Sequence, residues 1–145
     1  MLLKGFDRRG FVFYTSLLSR KARALRAHPR AALTFHWEAL ERQVRIEGRT
    51  RRVSPSEADA YFATRPWPSQ VAAWASRQSA TLTGRAELSR RCAAWARRFH
   101  GGPVPRPGHW TGFRLIPDRV EFWRGRPDRL HDRRLYFRGP RGRWA

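Results

Sequence analysis

Apolar and polar positions alternate along the first third of this chain in the two-residue period of strands. Residues 2–4 read as the end of one strand, Asp7-Arg8-Arg9-Gly10 as a turn, and 11–15 (Phe-Val-Phe-Tyr-Thr) as a strong second strand, so together they predict a hairpin. Ser19 is suited to cap a short helix through Ala22, Leu25 and Ala27, which His28-Pro29 stops. Residues 31–37 and 41–52 again alternate as strands. Ser54-Pro55-Ser56-Glu57 predicts a helix start, with Ser54 as cap, Pro55 at the first helical position and Glu57 closing a capping box. That helix carries Ala60, Tyr61 and Phe62 and ends near Arg65-Pro66. A further helical turn or two is expected over 69–75. A longer amphipathic helix is expected over 87–99, with Leu88, Cys92, Trp95, Ala96 and Phe99 on one side. After a Gly/Pro loop at 101–108, three more strands are expected at 110–116, 119–123 and 135–138. About seven antiparallel strands with a few short helices predict an α+β fold, an antiparallel barrel.

Composition narrows this picture. The chain has 145 residues, is 41% hydrophobic and 13% aromatic, and so is a folded domain rather than a disordered segment. No apolar run approaches the roughly 20 residues needed to span a bilayer, and the opening residues turn charged at Lys4. A cytoplasmic protein with no membrane partner is expected. The single cysteine, Cys92, excludes an internal disulfide and a cysteine-cluster metal site. It is read as a small core residue.

A formal charge of +20 asks for an anionic partner or a compositional bias. Of 31 basic residues only Lys4 and Lys21 are lysine. In so arginine-rich a chain, those two mark positions where a compact ammonium is needed in place of a planar guanidinium.

Several segments can carry chemistry. Tyr14-Thr15 ends a strand just before Ser19-Arg20-Lys21 opens a helix. The helix N-terminus and its two cations suit a phosphate, with Thr15 adding a hydroxyl; the alternative is an ordinary helix end with solvated charges. Gln43 lies in a strand, where it can bond a heterocycle edge or merely face water. Tyr61, Arg65 and Ser69 recur every fourth residue, but Pro66 and Pro68 interrupt the helix, so they either converge around a turn or form a loose polar tail. Gln78-Ser79 is a polar stop after an apolar run.

Residues 121–133 combine Phe122, Trp123, His131 and several arginines. A turn at Arg126-Pro127-Asp128 would leave Arg129, His131 and Arg133 on one side of an extended segment, next to the tryptophan. This suits a flat aromatic ligand that carries phosphate, and a solvated arginine-rich hairpin is the alternative. None of the five histidines has metal-ligand spacing, so no metal is expected. Without a Gly-x-Ser-x-Gly elbow or a paired carboxylate, hydrolysis is disfavoured. Redox chemistry on a bound cofactor is favoured.

The ordered set Leu2-Leu3-Lys4, Phe13-Tyr14-Thr15, Ser19-Arg20-Lys21, Pro29-Arg30-Ala31, Glu41-Arg42-Gln43-Val44, Tyr61-Phe62, Arg65-Pro66, Ser69-Gln70, Ala73-Trp74, Gln78-Ser79, Glu121-Phe122-Trp123 and Arg129-Leu130-His131-Asp132-Arg133 resembles the pyridoxamine 5'-phosphate oxidase family. Both lysines fall inside it.

The resemblance implies an FMN-binding split β-barrel that forms a homodimer with FMN at the subunit interface. It implies FMN contacts from Lys4, Tyr14, Thr15, Arg20, Lys21, Gln43, Gln78, Ser79, Trp123 and Arg133, with Arg20 and Lys21 on the cofactor phosphate. It implies substrate contacts from Lys4, Tyr61, Arg65 and Ser69 on the phosphate, and catalytic Arg129 and His131 at the pyridine ring. The implied enzyme is an FMN-dependent oxidase acting on CH–NH2 or CH–OH groups. It converts pyridoxine or pyridoxamine 5'-phosphate to pyridoxal 5'-phosphate, with oxygen as acceptor and hydrogen peroxide as product.

The chain reads as one domain, 1–145, lacking the family's N-terminal helix, first strand and an arginine before Met1, and the strand tail after Trp144. Ala73 stands where glycine is common, and Thr111 in a usual Gly-Gly. The alternatives are a flavin-binding split-barrel protein with impaired catalysis, and a basic nucleic-acid-binding module.

Overall fold

The computed structural model describes residues 1–140 and 142–145. The described elements are β1 (Gly5–Asp7), β2 (Gly10–Ser16), α1 (Arg20–Ala27), β3 (Arg30–Trp37), β4 (Arg42–Arg52), α2 (Pro55–Ala63), α3 (Trp67–Ala75), α4 (Arg85–Phe99), β5 (Trp110–Arg124) and β6 (Asp132–Phe137), with short 3-10 turns at Glu38–Leu40 and Pro127–Arg129. The fold is α+β, as expected, with six strands and four helices rather than about seven strands.

Two compact units make up the chain. The first is Met1–Val12, His28–Arg51 and Arg114–Ala145; the second is Phe13–Ala27 and Arg52–Phe113. The strands pair in the order β1-β2-β5-β4-β3 with β6 on β5; the first unit holds β1, β3, β6, most of β4 and β5, and the start of β2. The hairpins β1–β2, β3–β4 and β5–β6 are antiparallel, with Phe6 opposite Phe11, Leu33 opposite Ile46 and Trp123 opposite Arg133.

Along β4, Ile46, Gly48 and Thr50 are buried while Arg45 and Arg49 face out, the alternation of a strand with one covered face. Gly48 is required there, because a Cβ would run into the Ile116 carbonyl oxygen of β5. Arg114 is buried, and its guanidinium donates to Asp7 Oδ1 at 2.7 Å.

The second unit centres on Phe62, Val71, Val104 and Trp110, with Tyr14, Tyr61, Trp67, Trp74, Trp95 and Phe99 packed around them. Ser54 Oγ accepts from the Glu57 N–H at 3.1 Å, so the expected cap of α2 forms. The break after α2 also forms: α2 ends at Ala63 and α3 starts at Trp67, two residues earlier than expected, with Pro68 in its first turn.

Three expectations need correction. The strands expected at 110–116 and 119–123 are one continuous β5, because Pro117 keeps strand-compatible φ and costs the ladder only one N–H. Cys92 is only half-buried, since α4 has no fully buried residue and covers the aromatic cluster with one flank. Arg129 is not in an extended segment; it sits in the 3-10 turn and β6 starts only at Asp132. No helix among the described residues is long and apolar enough to cross a membrane.

Candidate active site

In the second unit the end of β2 and the start of α1 are tied together by side chains. Ser19 is almost fully buried, and its Oγ accepts from the Ala22 N–H at 3.1 Å, capping α1. Buried Thr15 lies 3.3 Å from that hydroxyl and donates to Gln78 Oε1 at 2.9 Å. The same amide oxygen accepts from the Ser16 N–H at 3.2 Å. Lys21 Nζ donates to Thr15 Oγ1 at 3.3 Å, and the Arg20 N–H donates to Ser79 Oγ at 3.2 Å. Ser79 has φ 68, so its backbone is left-handed at the point where its hydroxyl meets α1.

Thr15, Arg20, Lys21, Gln78 and Ser79, far apart in sequence, therefore form one hydrogen-bonded group at a helix N-terminus. Arg20 is exposed and Lys21 half-buried, with no acidic residue in the first turn of α1. That donor set, on the positive end of a helix dipole, suits a phosphate.

Beside it runs a stack of aromatic rings. Tyr14 lies 4.1 Å from Tyr61 and 4.9 Å from Trp110, both nearly parallel. Gly112 makes room for this stack, since a Cβ there would meet the Tyr14 ring at 2.7 Å and Val53 at 2.8 Å. Arg65 places its guanidinium 5.0 Å from the centre of the Trp110 ring and 5.5 Å from that of Phe62. Its Nη1 is buried and has no hydrogen-bond partner among the described residues. Burial pulls the Arg65 pKa below the ordinary guanidinium value, and Tyr61 opposes that shift. An unpaired buried donor on a charged group is costly, of order 1–3 kcal/mol or more, until an anion takes it. Ser69 lies in the first turn of α3, its N–H donating to the Pro66 carbonyl at 2.8 Å.

Gln70 carries no site signal in the sequence. It is buried, and its Nε2 donates to the carbonyls of Phe62, Ala63 and Arg65 at 3.0–3.2 Å, fixing the turn that carries Arg65.

In the first unit, an open cavity of about 970 Å³ brings Gln43, Trp123 and Arg133 together with Trp37, Arg126 and Tyr136. Trp123 and Arg133 are register partners on β5 and β6. His131 lies beside Trp123, with ring centres 4.8 Å apart and planes at 50°. Its Nδ1 accepts from the Arg126 N–H at 3.2 Å. Asp128 and Arg129 have φ 57 and 61, two consecutive non-glycine residues in the left-handed region. Lys4 also belongs to this unit; its N–H donates to the Val12 carbonyl at 2.9 Å, and its side chain is exposed. Among the described residues no group of His, Cys, Asp or Glu is placed to hold a metal ion.

Residues 1–99 match the family model described as pyridoxamine 5'-phosphate oxidase, and 110–145 match that of the pyridoxine 5'-phosphate oxidase C-terminal dimerisation region. A pyridoxine/pyridoxamine 5'-phosphate oxidase of Rubrobacter xylanophilus is 61% identical over 97% of this chain, which spans 65% of that relative's length. The like-named protein of Synechocystis is 54% identical over 99% of the chain and 67% of its own length. The crystal structure of PhzG from Burkholderia lata, in complex with tetrahydrophenazine-1-carboxylic acid, superposes with a TM-score of 0.90 at 33% identity, covering 99% of this chain and 69% of PhzG. A pyridoxamine 5'-phosphate oxidase-related, FMN-binding protein of Nostoc punctiforme shares the fold, with a TM-score of 0.74 at 16% identity over 99% of this chain and 74% of its own.

Proposed function

This chain belongs to the pyridoxamine 5'-phosphate oxidase family, and we propose that it oxidises pyridoxine or pyridoxamine 5'-phosphate to pyridoxal 5'-phosphate with FMN as cofactor. The observation that carries this reading is Arg65, a half-buried, aromatic-flanked guanidinium whose buried Nη1 has no partner among the described residues, which fits the phosphate of a flat aromatic substrate.

The residues present fit FMN. Arg20 and Lys21 at the start of α1, with Thr15, Gln78 and Ser79 holding them in place, would take its phosphate. Gln43, Trp123 and Arg133 would meet its ring system, and Lys4 and Tyr14 complete the contacts. When bound, FMN would supply the two-electron acceptor for oxidation at the substrate C4', with oxygen as final acceptor and hydrogen peroxide as product.

The chain's own residues orient the substrate. Tyr61, Arg65 and Ser69, with Lys4, bind its phosphate. Arg129 and His131 hold the pyridine ring and its C4' substituent for hydride loss. The substituent's hydroxyl or amino group loses a proton in the same oxidation; in the amine case water then releases ammonia and leaves the aldehyde. The cation-rich surroundings complement the two phosphates.

The test is FMN titration by flavin fluorescence quenching, followed by an assay for pyridoxal 5'-phosphate and hydrogen peroxide. Arg129→Ala lowers turnover far more than FMN affinity, whereas Arg20→Ala weakens FMN binding first. Equal loss of both functions in Arg129→Ala defeats its assignment, and unchanged FMN affinity in Arg20→Ala defeats the phosphate site. FMN binding without pyridoxal 5'-phosphate formation favours the catalytically impaired alternative.

A further inference from the structure

Resting on the oxidase reading above, we infer that Arg126 and Asp132 are a positioning pair that fixes how the loop between them presents Arg129 and His131. Arg126 Nε donates to Asp132 Oδ2 at 2.8 Å, closing the loop side chain to side chain across six residues. Both partners are about half exposed, at 45% and 53%. An ion pair that open to water adds little to stability. Its consequence is geometric.

Inside the bracket the backbone is in an unfavourable state. Asp128 and Arg129 both have positive φ, and neither is a glycine. Such conformations persist where the surroundings hold them. The holding contacts are at the loop's ends. The Gly125 N–H donates to the Glu41 carbonyl at 2.7 Å just before the loop, and the Leu130 N–H to the Pro127 carbonyl at 3.2 Å within it. The ion pair supplies the cross-link between its first residue and its last.

The same bracket selects a state of His131. The Arg126 backbone N–H can only donate, so the Nδ1 it meets at 3.2 Å is an acceptor. The ring proton then sits on Nε2, and the imidazole presents a donor on the side away from Arg126. Trp123, fixed by its register with Arg133, lies 4.8 Å from the ring and limits its rotation. Arg126 thus acts twice, through its backbone on the histidine and through its side chain on Asp132.

The test uses the FMN-loaded chain and the variants Asp132→Asn, Arg126→Gln and Arg126→Lys. Asp132→Asn and Arg126→Gln lower kcat for pyridoxine 5'-phosphate about tenfold, the scale expected for misplacing catalytic groups that are still present. Melting temperature and FMN titration stay at the wild-type values. Nitrogen-15 spectra of the imidazole show one tautomer, protonated on Nε2, in the wild type and a mixture in these two variants. Arg126→Lys keeps a cation for Asp132 and restores most of the turnover. Unchanged turnover with an unchanged tautomer in Asp132→Asn overturns the proposal. So does a loss of turnover that merely tracks loss of melting temperature. If the wild type forms no pyridoxal 5'-phosphate, the oxidase reading fails by itself, and the tautomer comparison still decides the positioning claim.

Discussion

Arg65 brings together the costs and the use of a half-buried charge. Removing a guanidinium from water is unfavourable, and flanking it with Phe62 and Trp110 offsets only part of that. A fully satisfied structural arginine would leave no buried donor over, yet Nη1 has no partner among the described residues. Arg65→Ala therefore raises KM for the phosphorylated substrate by roughly 10- to 100-fold, the equivalent of a charged hydrogen bond worth about 1.5–3 kcal/mol. Its FMN affinity changes little. Arg65→Lys recovers only part of the loss, because a lysine cannot lie flat on the Trp110 ring. Steady-state kinetics beside FMN titration check both, and an unchanged KM in Arg65→Ala removes the assignment. The spacing of Tyr61, Arg65 and Ser69 was legible in the sequence, and so was the break that Pro66 and Pro68 impose. Trp110 and Gln70 were not, because their roles depend on contacts made by tertiary packing: Trp110 supplies the ring face, and Gln70 gathers three carbonyls from the preceding turn.

At the scale of elements, helix starts were the most readable feature because capping is local chemistry. Ser19 and Ser54 both accept the hydrogen bonds their positions predicted. What neither cap could announce is the second use of Ser19, whose hydroxyl also lies beside Thr15 in the group that includes Gln78 and Lys21. Ser19→Ala consequently has two effects. Loss of the cap costs about 1 kcal/mol of stability, read as a lower midpoint in urea unfolding. Loosening of Thr15 and Lys21 weakens FMN binding as well. Ser54→Ala is the control, losing similar stability through α2 with FMN affinity retained. Equal FMN affinities in the two variants would separate the cap from the cofactor site. The elements misread from sequence share a different cause. Pro117 ordinarily marks a strand end, but β5 continues through it, and the turn at Arg129 depends on left-handed residues whose side chains carry no glycine signature.

For the molecule as a whole, the question is what covers the apolar side chains of the first unit. Every residue of β6 is exposed, Leu135, Tyr136 and Phe137 among them, and Phe122 is 48% and Trp37 47% exposed. Trp37, Phe122 and Tyr136 line one cavity with Gln43, Trp123 and Arg133. Aromatic residues gathered at this density on a surface mark an interface rather than a solvated face. The segment that carries most of them is the one matched by the C-terminal dimerisation region of the family. The proposed partner is a second copy of this chain, which would also shield the residues proposed to meet the FMN ring. The wild-type chain accordingly sediments at twice its 17.0 kDa mass. Phe122→Asp, at an exposed position whose loss leaves the chain folded, shifts it toward the monomer. FMN affinity falls with the shift, since the ring loses its cover. Analytical ultracentrifugation across a concentration series, with flavin fluorescence read on the same samples, checks the coupling. A monomeric wild type that binds FMN as tightly as it does at high concentration would mean that one chain suffices for the cofactor and that the aromatic face serves another contact.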